Sequence, residues 1–321
     1  MNDKSYDVIM AGGGVMGCAT AFYLLRSDPT LKVAIIEMDA TYEKNSTVLS
    51  DGNTRLQFNL KENIQISQYG LDKLTTFSEE MAVDGIKVRI GFRQEGNLFL
   101  SDQENIKNAQ AGLAMQQSLG CNVEWLTPDE ISDRFPLYNK ESFAGGTFGP
   151  LDGTMDSHAV LMGFKNKAID LGATFIEAEI TEFTQSAGQI TGVKLSSGEI
   201  IKAKYVLNSA GAWATRLAET VGVELPIDPI MRQVFIVEIA TQPEEIYPLT
   251  VFPSGLYLIQ EHGNRFMCSK SMDDDLIGFD FSTNRERFTE FLWEELVGYA
   301  PAFDRLKITG AWAGLYAVNT F

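Results

Sequence analysis

Three glycines, Gly12-x-Gly14-x-x-Gly17, separate a short apolar run, Tyr6 to Ala11, from a small-residue and apolar stretch, Val15 to Arg26. The first run reads as a buried strand. The second reads as a helix packed against a sheet, stopped by Ser27-Asp28-Pro29. Lys32 to Glu37 then reads as another strand. Strand, glycine turn, helix and strand make a βαβ unit, whose strands are parallel and whose crossover is right-handed. Each glycine has a task in such a turn: Gly12 permits the tight bend, Gly14 lets backbone approach a pyrophosphate, and Gly17 lets helix and strand pack closely. Val15 and Met16 open the helix, whose unpaired N–H groups and positive dipole end favour phosphate. Glu37 ends the second strand 20 residues after Gly17. A carboxylate there accepts hydrogen bonds from the hydroxyls of an adenine-linked ribose and repels a 2′-phosphate, which disfavours NADP. NAD and FAD both satisfy the motif.

The chain has 321 residues, enough for about two domains, each able to close its own core. With 26 Lys and Arg against 43 Asp and Glu, the net charge of −17 opposes a nucleic-acid role. Cys18, Cys121 and Cys268 are scattered, odd in number and free of C-x-x-C spacing, so neither a disulfide framework nor a local zinc site is expected. His158 and His262, the only histidines, leave little material for a Ser-His-Asp triad or a histidine metal site. No integral membrane segment and no leader pattern is visible, so a cytoplasmic location is the expectation.

Further along, Thr41 to Phe58 is too long and polar for a simple connection and reads as a functional loop. Asn63 to Met81 has helical spacing, and Lys87 to Ser101 reads as a hairpin turning at Gln94-Glu95-Gly96-Asn97. Thr127-Pro128-Asp129-Glu130 is a capping box starting a short helix. His158 to Leu171 reads as helix, Ala173 to Phe183 as strand, Gly188 to Ile201 as hairpin and Tyr205 to Ser209 as strand. Strands are also expected at Met231 to Glu238 and Leu256 to Lys270, and an amphipathic helix at Arg285 to Val297.

The loop Ser46-Thr47-Val48-Leu49-Ser50-Asp51-Gly52-Asn53-Thr54-Arg55-Leu56-Gln57-Phe58 resembles the serine- and glycine-rich, arginine-containing segment of FAD-dependent oxidoreductases of the D-amino-acid oxidase superfamily. The likeness is strongest to the glycine oxidase, sarcosine oxidase and dimethylglycine dehydrogenase branch. Val123 to Pro136, Gly146 to Val160 with Asp152-Gly153, Asn208 to Trp213, Arg232 to Phe235 and Gly310 to Tyr316 resemble that family in the same order. The resemblance implies non-covalent FAD, with Ser46, Thr47, Ser50, Gly52, Asn53 and Arg55 along its pyrophosphate, ribityl chain and ring. It further implies Ile180 at the adenine and Ala210, Gly211 and Trp213 beside the dinucleotide. Candidate catalytic residues are Arg55, Arg232, Tyr257 and Lys270, and no metal is expected. The implied reaction is oxidation of the C–N bond of an amino acid or N-substituted amine by hydride transfer to flavin, the substrate being a small molecule. The electron acceptor, O2 or a protein, stays open.

Departures accompany the matches. Phe58 stands where sarcosine oxidases carry a carboxylate-holding arginine, Gly314 where they carry the flavin-linking cysteine, and Lys270 is a few residues from their oxygen-activating lysine. The family pattern continues past Thr320, so the resemblance also implies a C-terminally truncated fragment of a longer protein. An FAD-dependent 2-hydroxy-acid or polyol-phosphate dehydrogenase and a flavin-bearing assembly or binding protein are the alternatives; NAD-linked dehydrogenation is the weakest. The fold class expected is α/β: a discontinuous Rossmann-like FAD-binding domain from residues 1–86 and 145–223, and a substrate domain on an antiparallel β-sheet from 87–144 and 224–309. Residues 310–321 are expected to start the return to the FAD domain.

Overall fold

The N-terminal unit forms where its pattern places it, as the strand Ser5–Ala11, the helix Val15–Ser27 and the strand Val33–Glu37. A computed structural model describes residues 5–320. All five residues of Val33–Glu37 are buried, as a central parallel strand covered on both faces requires. It lies between Ser5–Ala11 and Thr174–Glu177, and Ile200–Asn208 flanks Ser5–Ala11 on the other side, every pairing being parallel. Gln189–Leu195 and Ile180–Ser186 extend this sheet antiparallel to six strands. Helices Val15–Ser27 and Ser157–Asp170 cover one face, with Phe164 packed against Phe22 and Phe77 at ring-centre distances of 5.8 and 5.0 Å.

A second sheet has eight strands in the order Lys307–Asn319, Ile227–Glu238, Arg265–Ser269, Tyr257–His262, Leu249–Val251, Asn97–Ser101, Gly145–Gly149 and Glu124–Leu126. Side chains alternate between its faces. Leu98, Phe148, Phe235, Leu258, Phe266 and Cys268 point into a core closed by Phe288, Leu292, Leu296 and Phe303. The opposite face carries Arg232, Trp312, Tyr316, Ser269, Tyr257 and Phe99, by the strand registers. Contacts of that face with residues 46–57 join the two sheets.

Several expectations need correcting. Lys87 to Ser101 is not a hairpin, because Arg93 bridges Thr154 and the Gly96 N–H donates to the Asp152 carbonyl, leaving Asn97–Ser101 to pair elsewhere. Ala173 to Phe183 is two strands on opposite edges of the six-stranded sheet. Gly145–Gly149, expected in the nucleotide unit, is bonded into the eight-stranded sheet. Residues 310–319 belong to the long strand Lys307–Asn319, paired along Ile227–Glu238, and this strand meets the loop beside the glycine turn at Ser46 and Leu49. The sheet is also not wholly antiparallel, since Leu249–Val251 and Asn97–Ser101 run parallel. The helical run after Asn284 contains a π-type turn at Phe288–Leu292. The capping box at Thr127 is present in full.

A Cβ on Gly17 would stand 2.1 Å from the Gly12 carbonyl oxygen, whereas one on Gly70, inside the helix Lys61–Glu80, would meet nothing within 4 Å. Gly17→Ala is therefore expected to lower unfolding stability by about 1–3 kcal/mol through overpacking. Gly70→Ala is expected to raise it by about 1 kcal/mol through helix propensity. Urea denaturation of the two variants beside the parent checks both signs.

Candidate functional site

The glycine turn stands where Ser5–Ala11 and Val33–Glu37 end. Gly12 has φ +109°, and a Cβ there would lie 2.5 Å from the Ser209 carbonyl oxygen, so the chain can pass only as glycine. Gly14 caps the helix Val15–Ser27 with no side-chain hydrogen bond, leaving that helix end open toward a cleft of about 410 Å3. This volume is in the range of small-molecule and cofactor sites. Thr47 Oγ1 accepts weakly from the Val15 N–H at 3.3 Å. A Cβ on Gly14 would fall 3.2 Å from Asn45 Nδ2, so the missing side chain leaves a cradle.

Glu37 lines the same cleft and is 5% exposed. Its Oε2 accepts from the Gly13 N–H at 2.7 Å and its Oε1 from the Asp39 N–H at 3.2 Å. Burial pushes its carboxyl up, and those backbone donors pull it back toward the ionised form. Two bonds do not exhaust a carboxylate, which has lone pairs left for ribose hydroxyls. Lys44, Asn45, Ser46 and Thr47 line it from the segment after the second strand, Ser209, Ala210, Gly211, Ala212, Trp213 and Arg216 from the segment after Ile200–Asn208, and Ile180 and Thr181 also line it. An uncapped helix terminus, a glycine cradle and a buried carboxylate together fit a dinucleotide.

From that cleft, residues 46–57 run to the open face of the second sheet. Ser46 Oγ donates to the Leu315 carbonyl at 2.9 Å, and Trp312 Nε1–H donates to the Leu49 carbonyl at 3.0 Å. Asn53 and Asn97 exchange a reciprocal pair of amide hydrogen bonds, each 2.9 Å. Asp152, fully buried, accepts from the Leu56 N–H at 2.8 Å and from Gln57 Nε2 at 3.0 Å. Tyr257 Oη donates to Asp51 Oδ2 at 2.5 Å, while Asp51 Oδ1 is buried without a partner. Burial raises the pKa of both groups, with Asp51 reinforcing the rise on Tyr257.

Arg55 leans on Phe58 and Phe99, its guanidinium carbon 4.5 and 5.2 Å from their ring centres, with no ion-pair partner among the described residues. Arg232 shares this side of the sheet, 5.5 Å from the Tyr316 ring centre, but its Nη1 is held by Asp275, which also takes Arg287. Lys270 does not join them. It pairs with Glu295 at 2.8 Å, on the helix that covers the sheet's other face.

The structure thus gathers Gly12, Gly14, Val15, Met16, Glu37, Ser46, Thr47, Ile180, Ala210, Gly211 and Trp213 around one cleft. Gly17 shapes the turn from behind. Ser50, Gly52 and Asn53 do not line the cleft: Ser50 Oγ accepts from the Gly52 N–H, the Gly52 carbonyl accepts from Met155, and Asn53 is spent on Asn97. The sequence reasoning did not single out Lys44, Asn45, Ser209 and Arg216 in the cleft, nor Asp51 and Tyr316 where residues 46–57 meet the open face of the second sheet, a region called the chamber below. Asn45 directly precedes Ser46 and Ser209 directly precedes Ala210, so extending each motif by one residue finds them. Asp51 lies between Ser50 and Gly52 and is found the same way, whereas its partner Tyr257 lies far along the chain, so their pairing has no local signal. Among the described residues, no cluster suits a metal ion and no helix is long and apolar enough to cross a membrane.

A doubly wound nucleotide cleft facing the polar side of a second sheet defines a dinucleotide-dependent oxidoreductase. The chain belongs to the family described as "FAD dependent oxidoreductase", whose model matches residues 7–320, and its cofactor is FAD. It is 30% identical to "FAD-dependent oxidoreductase domain-containing protein 1" of Bos taurus over 352 aligned positions, covering 98% of this chain and 72% of that protein. It is 27% identical to "Sarcosine oxidase subunit beta" of Arthrobacter sp, covering 97% and 76%. Among solved structures, L-proline dehydrogenase from P.horikoshii superposes with a TM-score of 0.87 at 26% identity, covering 99% of this chain and 83% of that one.

Burial lifts the Asp152 carboxyl from 3.8 to about 6, against hydrogen bonds from Gln57 and Leu56 that lower it. As pH rises from about 4 to about 6, the unfolded chain loses this proton first, so the folded state is progressively disfavoured and stability falls. The loss is expected to reach about 3 kcal/mol above that window. Asp152→Asn is expected to flatten the thermal-stability profile between these pH values relative to the parent, which calorimetry across the window checks.

Proposed function

We propose that the protein oxidises the C–N bond of an amino acid or an N-substituted amine. The observation that carries this reading is Arg55, a partly buried guanidinium without an ion-pair partner among the described residues, stacked on Phe99 of the sheet face that also carries Tyr257. When bound, FAD supplies the redox chemistry by accepting a hydride from the carbon attached to nitrogen. Arg55 orients the substrate carboxylate, and Phe58 and Phe99 keep water from its charge, which strengthens the contact. Tyr257 Oη donates to Asp51 Oδ2 and so fixes that carboxylate beside the open sheet face. Arg232 is a weaker candidate, because Asp275 already neutralises it, and Lys270 has no route to this face.

The cleft from Gly12 to Trp213 is the proposed FAD site, and Gly314, which offers no thiol, is consistent with non-covalent attachment. The six-stranded sheet is then the core of the FAD-binding domain and the eight-stranded sheet that of the substrate domain. Three buried, unpaired cysteines fit a cytoplasmic setting. Oxidation of 2-hydroxy acids remains the second reading, since Arg55 would receive their carboxylate equally well.

Purified protein is expected to show the two visible bands of oxidised flavin, and acid or heat precipitation should leave the colour in solution. Anaerobic bleaching by amino acids or N-methyl amines, and not by 2-hydroxy acids, would support amine oxidation; the reverse selects the second reading. A chain that stays colourless with added FAD removes both. Arg55→Met is expected to raise KM for a carboxylate-bearing amine about 10- to 100-fold with flavin content intact. Equal loss of flavin would instead assign Arg55 to the cofactor.

A further inference from the structure

Residues 275–284 leave the substrate sheet and reach the mouth of the dinucleotide cleft. Their start is fastened to the strand Ile227–Glu238: the Met231 N–H donates to the Leu276 carbonyl at 2.9 Å, the Gly278 N–H donates to the Pro229 carbonyl at 2.8 Å, and Ile277 bridges Ile230. Asp275 takes Arg232 and Arg287 there. Their end is fastened by the Asn284 N–H, which donates to Gln233 Oε1 at 2.7 Å. Between these anchors, Phe279 and Phe281 sit on Trp213, with ring centres 5.0 and 6.4 Å away.

The same two rings each carry a cation from a different segment of the chain. The Arg216 guanidinium carbon lies 3.7 Å from the Phe279 ring centre, and Lys44 Nζ lies 5.6 Å from that of Phe281. Both residues line the cleft, Lys44 just before Ser46 and Thr47 and Arg216 just after Trp213. Neither has a carboxylate at ion-pairing distance among the described residues, although the chain carries a net charge of −17. Glu37, Asp39 and Glu179 line the same cleft, yet neither cation pairs with them, so both stay available to an anion. A dinucleotide brings its diphosphate to such a cleft.

We propose that Lys44 and Arg216 together hold the diphosphate of the bound dinucleotide, and that residues 275–284 are the strap that holds both cations in place. The strap belongs to the substrate sheet and its catch is Arg232–Asp275, so cofactor retention is tied to the chamber where substrate is handled. The clamp rests on the assignment of this cleft to FAD. It goes further in naming the charges that set affinity and the segment that sets the rate of escape.

The test measures FAD dissociation constants by quenching of flavin fluorescence, at low and high salt, together with the rate of flavin release. Lys44→Gln and Arg216→Gln are each expected to weaken FAD binding about 10-fold or more, and the double variant to show a shallower salt dependence. Arg216→Lys is expected to restore part of the loss. Phe279→Ser/Phe281→Ser is expected to accelerate flavin release about 10-fold, with faster amide exchange confined to 276–284. A double Gln variant whose affinity and salt slope match the parent's, with unchanged circular dichroism, overturns the clamp. Unchanged release from a strap variant with faster exchange overturns the strap. A parent chain that binds no FAD removes the cleft assignment itself, an outcome distinct from either.

Discussion

The buried carboxylate of Asp152 is the interaction on which the arrangement of the two sheets depends. It has no exposure to solvent and holds the Leu56 N–H and the Gln57 amide, and Gln57 reaches on to the Asn97 carbonyl. Three chain segments distant in sequence thereby meet at one acid. The loop from Ser46 to Gln57 has no regular structure beyond a two-residue bridge, so it cannot satisfy its own polar groups. Asp152, the Asn53–Asn97 pair and the Trp312 indole satisfy them instead, and in doing so fix where Arg55 and Asp51 project.

That dependence explains the charges in the chamber. Asp51, Arg55 and Tyr257 are costly to bury, and each carries a sign of that cost in a shifted protonation equilibrium. Only a loop pinned from beneath can hold such groups out of water with one oxygen of Asp51 unpaired. Groups of this kind, costly to bury and shifted in protonation, cluster at functional sites, which supports the substrate-side role proposed for them.

The nucleotide half was legible because its determinants are local: strand, turn, helix and ribose carboxylate fall in one βαβ unit, with periods a sequence displays. The second segment lining the cleft was legible through Ala210 to Trp213. The chamber was far less so. Lys270 lies one residue beyond Ser269, and the alternation of a strand is enough to send it to the opposite face, where Glu295 awaits it. Arg232 was found, but its neutralisation by Asp275 depends on a loop with no sequence period. The pairing of Gly145–Gly149 into the eight-stranded sheet was not legible because strand partners are chosen by tertiary packing, which local propensity does not report.

Sheet order carries a consequence for how the chain is made. Asn97–Ser101 lies beside Leu249–Val251, and Ser5–Ala11 lies beside Ile200–Asn208, so neither sheet closes on residues that leave the ribosome together. The first βαβ unit must wait, with one flank of Ser5–Ala11 open, until the polypeptide through Asn208 has been synthesised. Pairings of such long sequence separation form slowly and leave apolar edges exposed meanwhile. Chaperone demand during translation should therefore peak late, after most of the nascent protein already exists.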